Sequence, residues 1–134
     1  MLKIAHIALS VSNLDKSVGF YRKHFGLKCV EKYAHKDSGF TIAILKKGDI
    51  TLELFEFKSY RPLPKYRKKL GNDLKTLGVK HFSLEASDIT KMYKALKKAK
   101  VRFATDISTF DSGQRYFFIR DPDGILVELM QARK

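Results

Sequence analysis

From Lys3 to Val11 apolar and polar positions alternate. Ile7, Leu9 and Val11 fall on one side, and Ile4, His6 and Ala8 on the other. Period two over this length predicts a strand with two distinct faces. Ser12 or Asn13 is placed to cap a helix whose Leu14, Val18, Tyr21 and Phe25 recur at helical spacing, and Gly26 suits its end. Gly19 inside that helix weakens it. Three apolar segments follow, near 28–34, 40–46 and 50–57, with Asp37-Ser38-Gly39 and Lys47-Gly48-Asp49 as turns. The pattern predicts strand, helix and three further strands.

The second half repeats it. A shift of 75 positions lays Ala5-His6-Ile7-Ala8-Leu9 over Lys80-His81-Phe82-Ser83-Leu84, and Ile50-Thr51-Leu52-Glu53-Leu54 over Ile125-Leu126-Val127-Glu128-Leu129. Asp37-Ser38-Gly39 and Asp111-Ser112-Gly113 correspond after one slip of register. Repeat two then reads as a strand at 79–86, a helix over about 88–99, and strands near 101–104, 114–120 and 125–131. Its helix turns Ile89, Met92 and Leu96 inward, and Asp121-Pro122-Asp123-Gly124 is a strong turn before the last strand. The expected organisation is one domain: repeat one over 2–57, a connector over 58–77 and repeat two over 78–131. Pro62, Pro64 and many basic residues mark the connector, with a short helix expected from Lys65 to Leu70 and its charge read as solvation.

The repeat gives chemical meaning to four polar residues. His6 and Glu53 stand 47 positions apart, as do His81 and Glu128. Leu-Glu-Leu and Val-Glu-Leu set each carboxylate between apolar neighbours, where burial is costly without a cation or strong donors. Two carboxylates facing one cavity repel, and a single dication removes that repulsion. Two imidazoles with two carboxylates suit Ni, Zn, Co, Mn or Fe better than Ca or Mg. His6, Glu53, His81 and Glu128 are therefore the expected ligands of one divalent metal ion. His24 and His35 have no repeat partner, and Cys29 is expected to be a small core residue.

Charge and cysteine content narrow the setting. The formal charge of +13 comes mostly from lysines scattered over helix faces and the stretch from Lys58 to Lys80. An Arg-rich stripe, zinc-finger spacing and RRM-like aromatics are all missing, so a solvated basic surface is favoured over nucleic-acid binding. The same field favours acidic small substrates. No apolar run is long enough to span a bilayer, Met1 leads into a strand pattern rather than a signal peptide, and the single Cys29 excludes an internal disulfide. A cytoplasmic protein without a membrane partner is expected.

Several of these stretches carry a resemblance. His-Ile-Ala-Leu-Ser-Val, Asn-Leu-Asp-Lys-Ser-Val-Gly-Phe-Tyr, Leu-Glu-Leu, Val-Lys-His-Phe-Ser-Leu and Arg-Asp-Pro-Asp-Gly-Ile-Leu-Val-Glu-Leu resemble the vicinal oxygen chelate superfamily, and within it glyoxalase I. The resemblance implies an α+β fold in which two βαβββ repeats form a cupped, barrel-like mixed sheet around a metal site. It also implies a homodimer in which that site is held within one chain or shared between chains. Extradiol dioxygenases of the superfamily generally use two His and one Glu, and Glu53 fills the position they leave vacant, as in the four-ligand glyoxalase I set. Methylmalonyl-CoA epimerases are near relatives with a different final turn. Bacterial glutathione-dependent members typically carry Arg four residues after the first His and Asn four after the first Glu, where this chain has Ser10 and Phe57.

The expectation is a lactoylglutathione lyase-like metalloenzyme. Its substrate would be a hemithioacetal of methylglyoxal with a thiol, or a similar vicinal-oxygen compound, rearranged by proton transfer through an enediolate. Glu53 or Glu128 would be the base. Phe55, Phe57, Phe117 and Met130 are the expected pocket lining, each also suited to plain core packing. A dioxygenase or epimerase of the same superfamily, or an antibiotic-binding protein without metal chemistry, are the alternatives.

Overall fold

The computed structural model describes residues 1–133, and the chain divides into two units, Met1–Pro62 and the part from Leu63 onward. Unit one holds β1 (Ile7–Ser10), α1 (Leu14–Phe25), β2 (Lys28–His35), β3 (Phe40–Lys47) and β4 (Ile50–Phe57). Its sheet runs β1-β4-β3-β2, with β1 parallel to β4 and the other pairs antiparallel. Asn13 starts α1, its side chain accepting from Lys16 N–H at 3.0 Å, and the Glu56 carboxylate accepts from Leu14 N–H at 2.5 Å. A strand carboxylate thus completes the helix N-terminus. Gly26 ends the helix at φ 72°, a left-handed conformation costly to other residues, and Lys47 Nζ donates to the Phe25 carbonyl at 2.9 Å.

Alternation sorts this sheet into two faces. Leu9, Leu52, Leu54, Ala43 and Leu45 are buried together with Leu14, Tyr21 and Phe25 of α1, which packs against β2, β3 and β4. Each leucine and phenylalanine among them contributes about 1.5–3 kcal/mol by leaving water. The opposite face carries Glu53, Phe55 and Phe57 of β4, and Ile44, Ile42 and Phe40 of β3 opposite them. β2 is an edge strand whose residues are all exposed. Cys29 lies there, exposed, with its Sγ 3.3 Å from the Glu31 carbonyl, so it is not the core residue its small apolar character suggests.

Unit two repeats the topology. After a 3₁₀ turn (Lys65–Lys68) and α2 (Leu70–Lys75) come β5 (Phe82–Ala86), α3 (Ile89–Lys98), β6 (Arg102–Phe103), β7 (Ser108–Thr109), β8 (Arg115–Arg120) and β9 (Leu126–Gln131). The sheet runs β5-β9-β8-β6, with β7 also on β8, and β5 is parallel to β9. Asp88 caps α3 by accepting from Lys91 N–H at 2.9 Å. Both sheets are thus mixed and open at their edges, where the resemblance implies a barrel-like wall.

Four placements differ from the sequence reading. β1 begins at Ile7, not Lys3, and β5 at Phe82, not Val79, because the parallel ladders to β4 and β9 start only there. Most of the connector, from Leu63, belongs to unit two. The helix expected from Lys65 is a 3₁₀ turn followed by α2. Among the described residues no helix is long and apolar enough to cross a membrane.

Candidate metal and proton-transfer site

Each candidate histidine is the last residue before its unit's first strand. In unit one the β1–β4 register sets Ala8 opposite Glu53, so His6, two residues back, falls on the Glu53 face. Its Nε2 is 2.9 Å from Glu53 Oε2. In unit two the β5–β9 register sets Ser83 opposite Glu128, and His81 stands two residues back in the same way. Its Nε2 is 3.4 Å from Glu128 Oε2. The equal intervals in the sequence thus become two equivalent His–Glu pairs.

The pairs differ in depth. The His6 and Glu53 side chains are 49% and 18% exposed, against 25% and 7% for His81 and Glu128. His81 Nδ1 is buried and without a hydrogen-bond partner among the described residues. Its ring meets Phe118 edge-on at 4.8 Å.

The donor chemistry and spacing fit a divalent ion. Two atoms each about 2.1 Å from one ion lie about 3.0 Å apart at a right angle and about 3.4 Å apart at the tetrahedral angle. The two His–Glu separations match these values. A neutral hydrogen bond accounts for 2.9 Å but is stretched at 3.4 Å. Among the described residues no group of three or more His, Cys, Asp or Glu side chains is gathered to ligate an ion. The structure joins the candidates as pairs.

The aromatic lining is partly redrawn. Phe55 and Phe57 share the Glu53 face, and Met130 shares the Glu128 face. Phe117 does not. It is opposite Leu129 in the ladder, fully buried, and packed against Tyr93 of α3 and Phe103 at 5.3 and 5.4 Å. Its neighbour Phe118 is the residue opposite Glu128. Tyr116, on the same face, lies edge-on to Phe118 at 6.0 Å and stacks on Phe110 at 3.9 Å. In unit one Phe40 adds to the lining, 5.8 Å from Phe55 and 5.0 Å from Phe57, and His35 stacks on it at 4.6 Å. Strand register is the signal that places Phe118 and Phe40, and it becomes readable once Glu128 and Glu53 serve as origins. His24 stays apart on α1, half-buried beside Phe20, and burial with nearby Lys23 pushes its pKa down.

Comparison with known proteins identifies the family and the fold. Residues 3–129 match the family model described as the Glyoxalase/Bleomycin resistance protein/Dioxygenase superfamily. The mitochondrial methylmalonyl-CoA epimerase of Mus musculus is 28% identical, over 97% of this chain and 73% of its own. A probable lactoylglutathione lyase of Vibrio parahaemolyticus is 26% identical, over 98% of this chain and 92% of its own. The crystal structure of a glyoxalase family protein from Enterococcus faecalis superposes with a TM-score of 0.81 at 23% identity, covering 96% of both chains.

Proposed function

Because the chain belongs to the glyoxalase/bleomycin resistance protein/dioxygenase superfamily, we propose that it is a metal-dependent lyase or isomerase of the glyoxalase I type. The observation that carries the reading is the pair of equivalent contacts, His6 with Glu53 and His81 with Glu128. The reading assigns these four side chains as the donor set for one divalent ion per chain, in a homodimeric protein. A divalent ion bound there supplies Lewis acidity to vicinal oxygens of the substrate.

The chain's own residues do the proton work. Glu53, the more exposed carboxylate, accepts a proton from the carbon beside a carbonyl and returns it to the adjacent carbon. Glu128, the more deeply buried carboxylate, stays fixed as a ligand. Phe55 and Phe57, on the Glu53 face of β4, shield the exchanged proton from solvent. The substrate is a hemithioacetal of an α-ketoaldehyde with an anionic thiol, which suits the chain's charge of +13. Ser10 and Phe57 stand where glutathione-dependent relatives carry Arg and Asn, so the thiol is one recognised by other contacts. One cysteine in the whole sequence suits a reducing compartment, and the reading places the protein in the cytoplasm.

Similarity to a methylmalonyl-CoA epimerase supports a second reading, since epimerisation also removes and returns a proton beside a carbonyl. Elemental analysis of protein purified without chelator comes first, with about one metal ion per chain expected. Turnover is then followed with methylglyoxal and a panel of thiols, and with methylmalonyl-CoA. Metal without turnover on any thiol adduct, joined to epimerisation of the CoA ester, overturns the first reading in favour of the second.

A further inference from the structure

The residue before His81 is held at both ends. Lys80 Nζ donates to Asp73 Oδ1 at 3.2 Å, to the Asp73 carbonyl at 2.8 Å, and to the Thr76 carbonyl. The Lys80 carbonyl in turn accepts from Arg67 Nη2 at 3.3 Å, and Arg67 Nε donates to Asp73 Oδ1, also at 3.3 Å. Asp73 is only 1% exposed. A carboxylate this deep needs matched charge, and two cations provide it. A third, Arg120, feels Asp73 as well, and its Nη2 donates to the Lys68 carbonyl at 2.7 Å. The connector that reads in the sequence as solvated charge is knotted around one acid.

His81 needs such an anchor. It lies just outside β5, whose ladder begins at Phe82 opposite Val127, so sheet hydrogen bonds do not set its own backbone. Its buried Nδ1 has no partner among the described residues, so no hydrogen bond at that nitrogen steers the ring. The ring meets Phe118 and Glu128, and its backbone is held by the strand after it and the clamped lysine before it. His6, by contrast, follows Ala5, whose side chain offers nothing to clamp.

We propose that Asp73 is a positioning residue for His81. By holding Lys80 it fixes the direction from which the backbone delivers the imidazole to Glu128. The inference rests on the reading of His81 as a ligand only for its consequence in metal binding. The test is therefore made first on metal-free protein. In Asp73→Asn, the imidazole proton–nitrogen NMR correlations of His81 shift or broaden, while those of His6 stay in place as an internal control. Cobalt(II) affinity, read from its absorption bands, then falls about tenfold or more, the usual scale for losing support behind a ligand. Lys80→Met repeats both readouts, and replaces the first variant if that one does not fold. A folded variant whose His81 signals and cobalt affinity both match wild type overturns the proposal. Failure of the wild-type protein to bind cobalt counts against the metal reading alone, and the His81 signals still decide the positioning role.

Discussion

Phe118 and Glu128 are direct cross-strand partners on β8 and β9, and the Phe118 ring also meets the edge of His81 at 4.8 Å. One aromatic side chain therefore touches the imidazole and neighbours the carboxylate that this imidazole approaches. A buried acid beside an aromatic wall is poorly solvated, which strengthens its attraction for a nearby cation.

The two adjacent phenylalanines should fail differently. Phe117→Ala opens a void in the α3 packing and should cost about 3–5 kcal/mol of stability, with metal affinity of the folded fraction unchanged. Phe118→Ala should weaken metal retention or turnover at a smaller loss of stability. Urea melts paired with metal titration separate them, and equal effects of both variants on metal affinity would contradict the face assignment.

That distinction marks where the sequence stops being legible. Period two puts adjacent Phe117 and Phe118 on opposite faces of any strand, but only the β8–β9 register says which of them shares the Glu128 face. The repeat itself was readable because both copies keep His and Glu at matching strand positions, and the structure gives both pairs the same ladder offset. Cys29 departs from its expected burial because β2 is an edge strand, with a register irregularity between Cys29 and Glu31, so apolar character there does not mean burial. Asp73 gave no signal, since a lone acid among lysines looks solvated until tertiary contacts bury it.

Proteolysis should begin within 58–62. These residues are exposed and belong to no helix or strand, whereas the rest of the connector is bound into unit two through Asp73 and Lys80. Limited trypsin digestion should cut first after Lys58. First cleavage between Lys65 and Lys80 would show that the charged knot does not hold.

His24 should contribute a pH-dependent part of the stability. Burial and the nearby Lys23 charge lower its pKa from the ordinary 6.5. The unfolded chain therefore takes up a proton before the folded one. The contribution is fully present above about pH 6.5 and is lost as pH falls through the lower folded value. Replacing His24 with Gln should flatten the decline of urea-midpoint stability just below that pH. An unchanged slope would mean that other groups carry it.

Glu53→Gln and Glu128→Gln should damage different properties, although the repeat makes the residues formally equivalent. Gln preserves the shape and one oxygen donor but cannot take up a proton at neutral pH. Glu53 is the more exposed carboxylate and pairs with the more exposed histidine, so it has room to leave a ligand position and meet substrate. Its Gln variant should keep most of the metal and lose about 10²-fold or more in turnover, the scale of removing a general base. Glu128 is buried, with Phe118 opposite it and His81 as its close partner, so its motion is restricted. Its Gln variant should lose metal first, and turnover per bound metal should fall less. Bound metal and turnover measured on the same samples test the division. A reversed pattern would move the base to Glu128, and wild-type turnover in both variants at equal metal content would remove both carboxylates from the proton transfer.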